Sequence, residues 1–296
     1  MKLFVTGGTG FIGTGFVKEA IANGHQILGL ARSDESAGAL EDAGAEVIRG
    51  DLEDLDVLRK AAKESDGVVH LGFVHDFANF VNSMEIDQRA VKAMLETLEG
   101  TNKFFANTSG LLGLTTENGE IADESTPMTY EENFGLIRRL TEKLALSYAD
   151  RGVRVASVRL APTVHGKGDH GFITSLLDSA KKNGKSYYIG EGENVWPAVH
   201  RDDAAVLYRL AAENAPAGSI LHAAAEVVPS KKIAVAIAEA ANVPVDTTSS
   251  ADALKRLGFL GAFFQINANV SSEKTRKLLG WAPSRLDLVS DIKDNY

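Results

Sequence analysis

The chain has 296 residues, 44% hydrophobic and 24% charged, with a formal net charge of -9. That composition argues against disorder and suits a globular protein with one substantial core and a smaller lobe, while the acidic excess repels a polyanion, so no nucleic-acid partner is expected. With no cysteine, disulfides, thiol nucleophiles and cysteine-based metal sites are excluded, and a first strand at residue 2 without any later apolar run of spanning length predicts no membrane association and a cytoplasmic location.

Lys2 to Thr6 reads as a buried strand that runs into Gly7-Gly8-Thr9-Gly10-Phe11-Ile12-Gly13 and then a helix from Thr14 to Asn23, closed by Gly24. Gly7, Gly10 and Gly13 stand at G-x-x-G-x-x-G spacing. Such a turn is tight, lets the backbone approach a diphosphate and points the free N–H groups of the helix at the anion; an ordinary glycine turn is the plainer alternative. Gln26 to Ala31 is the second strand. At its end, where an NAD-binding unit usually carries an acidic residue, stand Arg32 and Ser33, which suit a ribose 2′-phosphate and favour NADP(H) over NAD(H). A solvated loop arginine is the competing explanation, with Asp34 close by.

Ala45 to Arg49 is a third strand, and Gly50-Asp51-Leu52 opens a helix through about Lys63, with Asp51 either accepting from an adenine amino group or capping the helix. Gly67 to Gly72 is the fourth strand. His70, flanked by apolar residues, reads as buried and structural, whereas His75 and Asp76 lie beyond the strand, at the ligand-facing edge of an open parallel sheet. Phe80 to Glu99 is helical, with its methionines in the core. Phe104 to Gly110 is a fifth strand that ends in polar residues, Glu131 to Ala149 a long helix and Gly152 to Leu160 a sixth strand.

Ala161 to Gly171 is a glycine-rich loop carrying His165, Lys167, Asp169 and His170, without the spacing of a metal site, so no metal is expected. A helix from Phe172 to Lys182 follows. Tyr187 to Asp203 reads as strand, Gly-Glu-Gly turn and strand, ending in a helix start at Arg201, and Gly218 to Ala223 is a last buried strand. Small helices at Pro229 to Asn242, around Ala253 to Leu260 and at Ser272 to Leu279 complete a lobe. The alternation predicts an α/β protein: a doubly wound parallel sheet of Rossmann type over 1–160, rejoined by about 196–224, with a smaller substrate lobe from 161–195 and 225–296.

Over nearly the whole chain these residues resemble the extended short-chain dehydrogenase/reductase family, also called the NAD-dependent epimerase/dehydratase family. The landmarks are Thr6 to Gly13, Gly50-Asp51-Leu52, Val69-His70-Leu71, Arg159-Leu160 with Val164-His165-Gly166, Val199 to Asp203, and Leu279-Gly280-Trp281-Ala282-Pro283. The resemblance implies that Thr9, Phe11, Ile12, Leu52, Leu71, Gly72, Phe73, Pro162 and Val164 join the glycines, Arg32, Ser33 and Asp51 around the cofactor. In this family a Tyr-x-x-x-Lys pair on the helix after the fifth strand does the chemistry, with a glutamate four residues after the lysine. Matching that glutamate to Glu142 puts Phe134 in the tyrosine slot and Arg138 in the lysine slot. Phenylalanine cannot exchange a proton, whereas arginine can still hold a ribose. The partner hydroxyl is Thr108 or Ser109, and Asp87 stands about where the family often has asparagine, so an atypical member is expected.

The expected function is an NADP(H)-dependent oxidoreductase acting on a small hydrophobic carbonyl, enone or imine compound, with Thr108 or Ser109 orienting the acceptor. Phe73, Phe134, Pro162 and Trp196 would line an apolar pocket near His75. The proton donor stays open among His75, His165, His170, Tyr130 and water, histidine being favoured by its pKa. Two further readings stand beside it: a non-catalytic dinucleotide-binding sensor, and an epimerase or dehydratase of nucleotide sugars, against which the missing tyrosine counts. The expected partner is the small-molecule substrate, and a homodimer is left open.

Overall fold

The computed structural model describes residues 1–76, 79–114, 116, 120–129 and 136–296. Its first half alternates strand and helix: β1 (Lys2–Thr6), α1 (Phe11–Ala22), β2 (Gln26–Ala31), α2 (Asp34–Asp42), β3 (Glu46–Arg49), α3 (Leu55–Glu64), β4 (Gly67–His70), α4 (Phe80–Leu98), β5 (Phe104–Gly110), α5 (Leu136–Ser147) and β6 (Arg154–Leu160). There follow β7 (Thr163–His165), α6 (Phe172–Asn183), β8 (Ser186–Ile189), β9 (Val195–His200), α7 (Arg201–Asn214), β10 (Ser219–Ala223), β11 (Glu226–Pro229), α8 (Ser230–Ala241) and β12 (Val245–Thr248). The last elements are α9 (Ser250–Leu257), α10 (Leu260–Phe264), α11 (Glu273–Leu279) and α12 (Leu288–Asn295).

Among the described residues seven parallel strands form the main sheet in the order β10-β6-β5-β4-β1-β2-β3. Both faces are covered, and the side chains divide by strand period. Leu3 and Val5 enter one core cluster with Phe16 of α1 and Leu207 of α7, while Phe4 enters the opposite cluster with Leu58 of α3 and Met94 of α4. The strand order reverses between β1 and β4, which is where an open α/β sheet leaves a crevice at the carboxyl ends of its strands. A third cluster, built on Ile173, Trp196, Ile233, Phe264 and Leu288, forms the core of the smaller lobe.

Several elements differ from the sequence expectation. Ser33 starts α2, which the apolar pattern alone did not reveal because only Leu40 of that helix is buried. The helix after Gly50 starts at Leu55, leaving Asp51 in a tight turn where its Oδ1 accepts from the Glu53 N–H (2.8 Å). The stretch from Tyr187 to Asp203 is not a hairpin: β8 pairs with β12, whereas β9 pairs with β7 and β11. β9 thus belongs to a separate three-stranded sheet, and the chain returns to the main sheet through α7 and β10. The Asp203 carboxylate accepts from the Ser284 and Arg285 amides, while His200 Nδ1 caps α7 by accepting from the Asp202 N–H.

Candidate cofactor and active site

The turn from β1 into α1 is built around absent side chains. Gly7 has φ +69°, and a Cβ there would lie 2.6 Å from the Gly72 nitrogen; a Cβ on Gly13 would lie 1.9 Å from the Gly7 carbonyl oxygen. Gly10 is the N-cap, with no side-chain cap and no acidic residue in the first turn of the helix. An uncapped N-terminus over a surface too tight for Cβ atoms fits the diphosphate of a dinucleotide, which would accept the amide hydrogens that no side chain takes. Thr9 and Gly10 are exposed beside it, and Phe11 and Ile12 are half-buried.

Behind the turn lies a buried polar chain. Thr6 Oγ1 accepts from the Gly72 N–H (3.0 Å) and lies 2.7 Å from His70 Nδ1, and His70 Nε2 lies 3.1 Å from Asp87 Oδ1. All these groups are satisfied when Thr6 donates to Nδ1 and Nε2–H donates to Asp87. Arg138 Nη1 stands 3.6 Å from the other Asp87 oxygen, and its Nη2 donates to the Thr108 carbonyl (3.0 Å). The Arg138 guanidinium also lies over the Phe73 ring at 4.5 Å. Arg138 is thereby anchored beside the end of β5. Thr108 keeps some exposure while Ser109 is buried, which favours Thr108 as the hydroxyl that meets a ligand. The Thr108 hydroxyl donates to the His70 carbonyl (2.7 Å) and lies 2.8 Å from the Tyr208 hydroxyl. Tyr208 is fully buried, and burial pushes its pKa far above the ordinary phenol value, so it is a neutral hydrogen-bond partner. The signal that would have found it is a lone hydroxyl in a buried, alanine-rich helix, where a phenol must have a partner.

The other predicted residues separate into those at this cleft and those away from it. His170 is exposed and sits edge-on to Phe11, ring centroids 5.9 Å apart. His75 packs edge-on to Phe73 at 5.2 Å; partial desolvation, then the positive charges of Arg138 and His170, lower its pKa despite an exposed edge. Leu71, Pro162 and Val164 are half-buried, and Leu52 packs on the α3 and α4 side of the sheet. At the end of β2, Arg32 is exposed, but the Ser33 hydroxyl accepts from the Ser36 N–H as the cap of α2, and Arg49 binds Asp34 (2.8 Å). The Ser33 hydroxyl is therefore engaged in the helix cap.

Two expectations are corrected. His165 is not on a loop at the cleft: it ends strand β7, is 1% exposed, and its Nδ1 is 2.7 Å from Asp291 Oδ2 of α12. A sealed imidazole already paired with a carboxylate has no path to a ligand. Trp196 is not a pocket wall either; it is 0% exposed, donates to the Ile266 carbonyl (3.1 Å) and lies behind Phe172. The half-buried rings next to it are Phe172, 5.5 Å from Trp196, and Phe263, 5.7 Å from Phe172. Tyr130 and Phe134 lie outside the described residues. The described residues contain no cluster of His, Cys, Asp and Glu able to hold a metal.

A doubly wound parallel sheet with a glycine turn at its switch point defines a nucleotide-binding α/β protein. The model of the NAD dependent epimerase/dehydratase family matches residues 3–224, and the chain belongs to that family. It is 48% identical to an uncharacterized protein of Saccharomyces cerevisiae, over 100% of this chain and 99% of that one. It is 28% identical to the 2-alkyl-3-oxoalkanoate reductase of Stenotrophomonas maltophilia, over 72% of this chain and 66% of the relative. Its fold is similar to that of the dTDP-glucose 4,6-dehydratase of Streptomyces venezuelae, solved with NAD bound: TM-score 0.80, 18% identity, covering 100% of this chain and 95% of the other.

Proposed function

We propose that the protein is an NADP(H)-dependent reductase of small hydrophobic carbonyl, enone or imine compounds that works without the family's tyrosine. The observation that carries this reading is the meeting of Arg138 with the Thr108 end of β5 (3.0 Å) at the sheet edge where the glycine turn also ends. A bound dinucleotide would supply the hydride. Arg138, held by Asp87 and stacked on Phe73, would hold the ribose hydroxyls and contribute positive charge. Thr108 orients the acceptor once its hydroxyl turns from the His70 carbonyl. Phe172 and Phe263 offer an apolar surface in place of Trp196, and Phe73 covers the Arg138 side. With His165 sealed, the remaining proton sources are His75, His170, Tyr130 and water. Support for NADP(H) comes from exposed Arg32 and from Asp34 being tied to Arg49. The bacterial relative named as a 2-alkyl-3-oxoalkanoate reductase supports reduction of an oxo group on an alkyl compound.

The sensor reading has one observation in its favour, the double engagement of the Thr108 hydroxyl by His70 and Tyr208. NADPH oxidation measured against apolar ketones, aldehydes, enones and imines separates the two. Turnover with one of these classes is expected; tight NADPH binding with no turnover across the panel would leave the sensor. Turnover of nucleotide sugars alone would return the third reading, an epimerase or dehydratase.

A further inference from the structure

β2 and β3 lie side by side at one edge of the main sheet, paired in parallel with Ala31 opposite Arg49. That register brings Arg49 to the end of β2. Its guanidinium bridges two groups at the start of α2: Nη1 donates to the Ser33 carbonyl (2.6 Å) and Nη2 to Asp34 Oδ1 (2.8 Å). The positions just after β2 are where a dinucleotide-binding sheet meets the adenosine ribose. A carboxylate there accepts the hydrogen of a ribose 2′-hydroxyl, whereas a 2′-phosphate has charged acceptor oxygens and is repelled by the same group. Asp34 is the first carboxylate after β2. Its bond to Arg49 makes the pair neutral overall and gives one carboxylate oxygen a donor already. The Ser33 hydroxyl is taken by the Ser36 amide, and Arg32 is exposed. The Arg49 and Asp34 side chains are 50% and 104% exposed, so the pair adds little to stability. What it changes is the charge that a ribose meets.

We propose that Arg49 sets the cofactor choice through Asp34: it masks the carboxylate that would otherwise hold the 2′-hydroxyl of NADH and repel the 2′-phosphate of NADPH. The inference rests on the dinucleotide reading of the glycine turn and adds to it a residue that acts on the ligand only through its neighbour. Arg49 is a positioning residue in this account, and Arg32 remains the group that meets the phosphate. The effect of Arg49 on affinity therefore depends on residue 34 being a carboxylate. That dependence separates masking from direct contact with the phosphate and from a structural role on β3.

Calorimetric titration of NADPH and NADH into the parent, Arg49→Gln, Asp34→Asn and the double variant closes a cycle that reads the coupling. In Arg49→Gln the ratio of NADPH to NADH affinity should fall by about tenfold, with NADPH weakened and NADH strengthened, the scale of one unmasked carboxylate a few ångströms from the 2′ group. Asp34→Asn should keep the parental ratio within about twofold, as expected when an exposed pair is removed, and the double variant should match it. Arg49→Lys, which keeps the charge without the fork, should retain most of the ratio. An unchanged ratio in Arg49→Gln overturns the proposal. So does an equal fall on the Asp34→Asn background, which would make Arg49 a direct ligand of the phosphate. Equal affinities in the parent would remove the NADP(H) preference alone: NADH binding that tightens in Arg49→Gln and not in the double variant still supports the masking, and its absence overturns it. Failure of the parent to bind either cofactor overturns the dinucleotide reading and the proposal together.

Discussion

At the Arg32-Ser33 pair the hydroxyl already accepts from the Ser36 amide, so a 2′-phosphate there would be met chiefly by the Arg32 guanidinium. Arg32→Ala is expected to weaken NADPH by roughly tenfold to a hundredfold, the scale of a hydrogen bond to a charged group, and to leave NADH unchanged. Titration of both cofactors checks this, and equal affinities in the parent would remove the argument for NADP(H). Thr108 is the second residue whose environment sets its test. Thr108→Val keeps the shape and removes the hydroxyl, so turnover should fall by about a hundredfold or more with NADPH affinity nearly unchanged, and Thr108→Ser should restore most of it. Equal rates in the parent and Thr108→Val would take Thr108 out of the chemistry.

The β1–α1 turn shows how one element sorts apparently equivalent glycines. Gly13 cannot carry a side chain because its Cβ would lie 1.9 Å from the Gly7 carbonyl, so Gly13→Ala is a folding variant. Gly10 has φ -73° and ψ 174°, a conformation open to any residue, and its Cβ would meet the Gly7 oxygen at 3.2 Å. Gly10→Val is therefore the informative substitution: it should abolish dinucleotide binding by covering the helix amides, with an almost unchanged far-ultraviolet circular dichroism spectrum. Parental affinity in that variant would sink the placement of the diphosphate.

Across the whole molecule, α12 is tied back to the strand that borders the cleft. Asp291 is 0% exposed and bridges His165 (2.7 Å) and the Asn295 side chain (2.6 Å), while Tyr296 donates to Asp169 in the loop that carries His170. Burial alone would raise the Asp291 pKa, but the hydrogen bonds with His165 and Asn295 and the electrostatic effect of the neighbouring imidazoles outweigh it and leave it lowered. A depressed carboxylate contributes stability that is present above its unfolded pKa, about 3.9, and is lost as pH falls through the lower folded value. Asp291→Asn should cost about 3 kcal/mol near neutral pH, as expected when one member of a buried pair is removed. Its deficit in denaturant unfolding should shrink as pH falls below about 4. A deficit that stays constant with pH would mean that the Asp291 carboxyl is not held ionised in the folded protein.

The glycine turn, the alternation behind the parallel sheet and the family landmarks were legible in the sequence because each is a local pattern. Burial repeats every second residue in a strand, and a cradle needs glycines at fixed spacing. Where each histidine points was not. His165 and His170 are five residues apart in one glycine-rich stretch, yet the first is sealed by a carboxylate 126 positions away and the second stands open beside Phe11. Trp196 reads as an aromatic pocket candidate, yet the packing of Phe264 and Phe172 against it seals it and leaves Phe172 half-buried. Those choices depend on contacts between distant segments, made only when the smaller lobe folds onto the sheet. The sequence by itself determined the fold and the turn suited to a diphosphate; the tertiary structure decided which hydroxyl, arginine and imidazoles share that turn's edge.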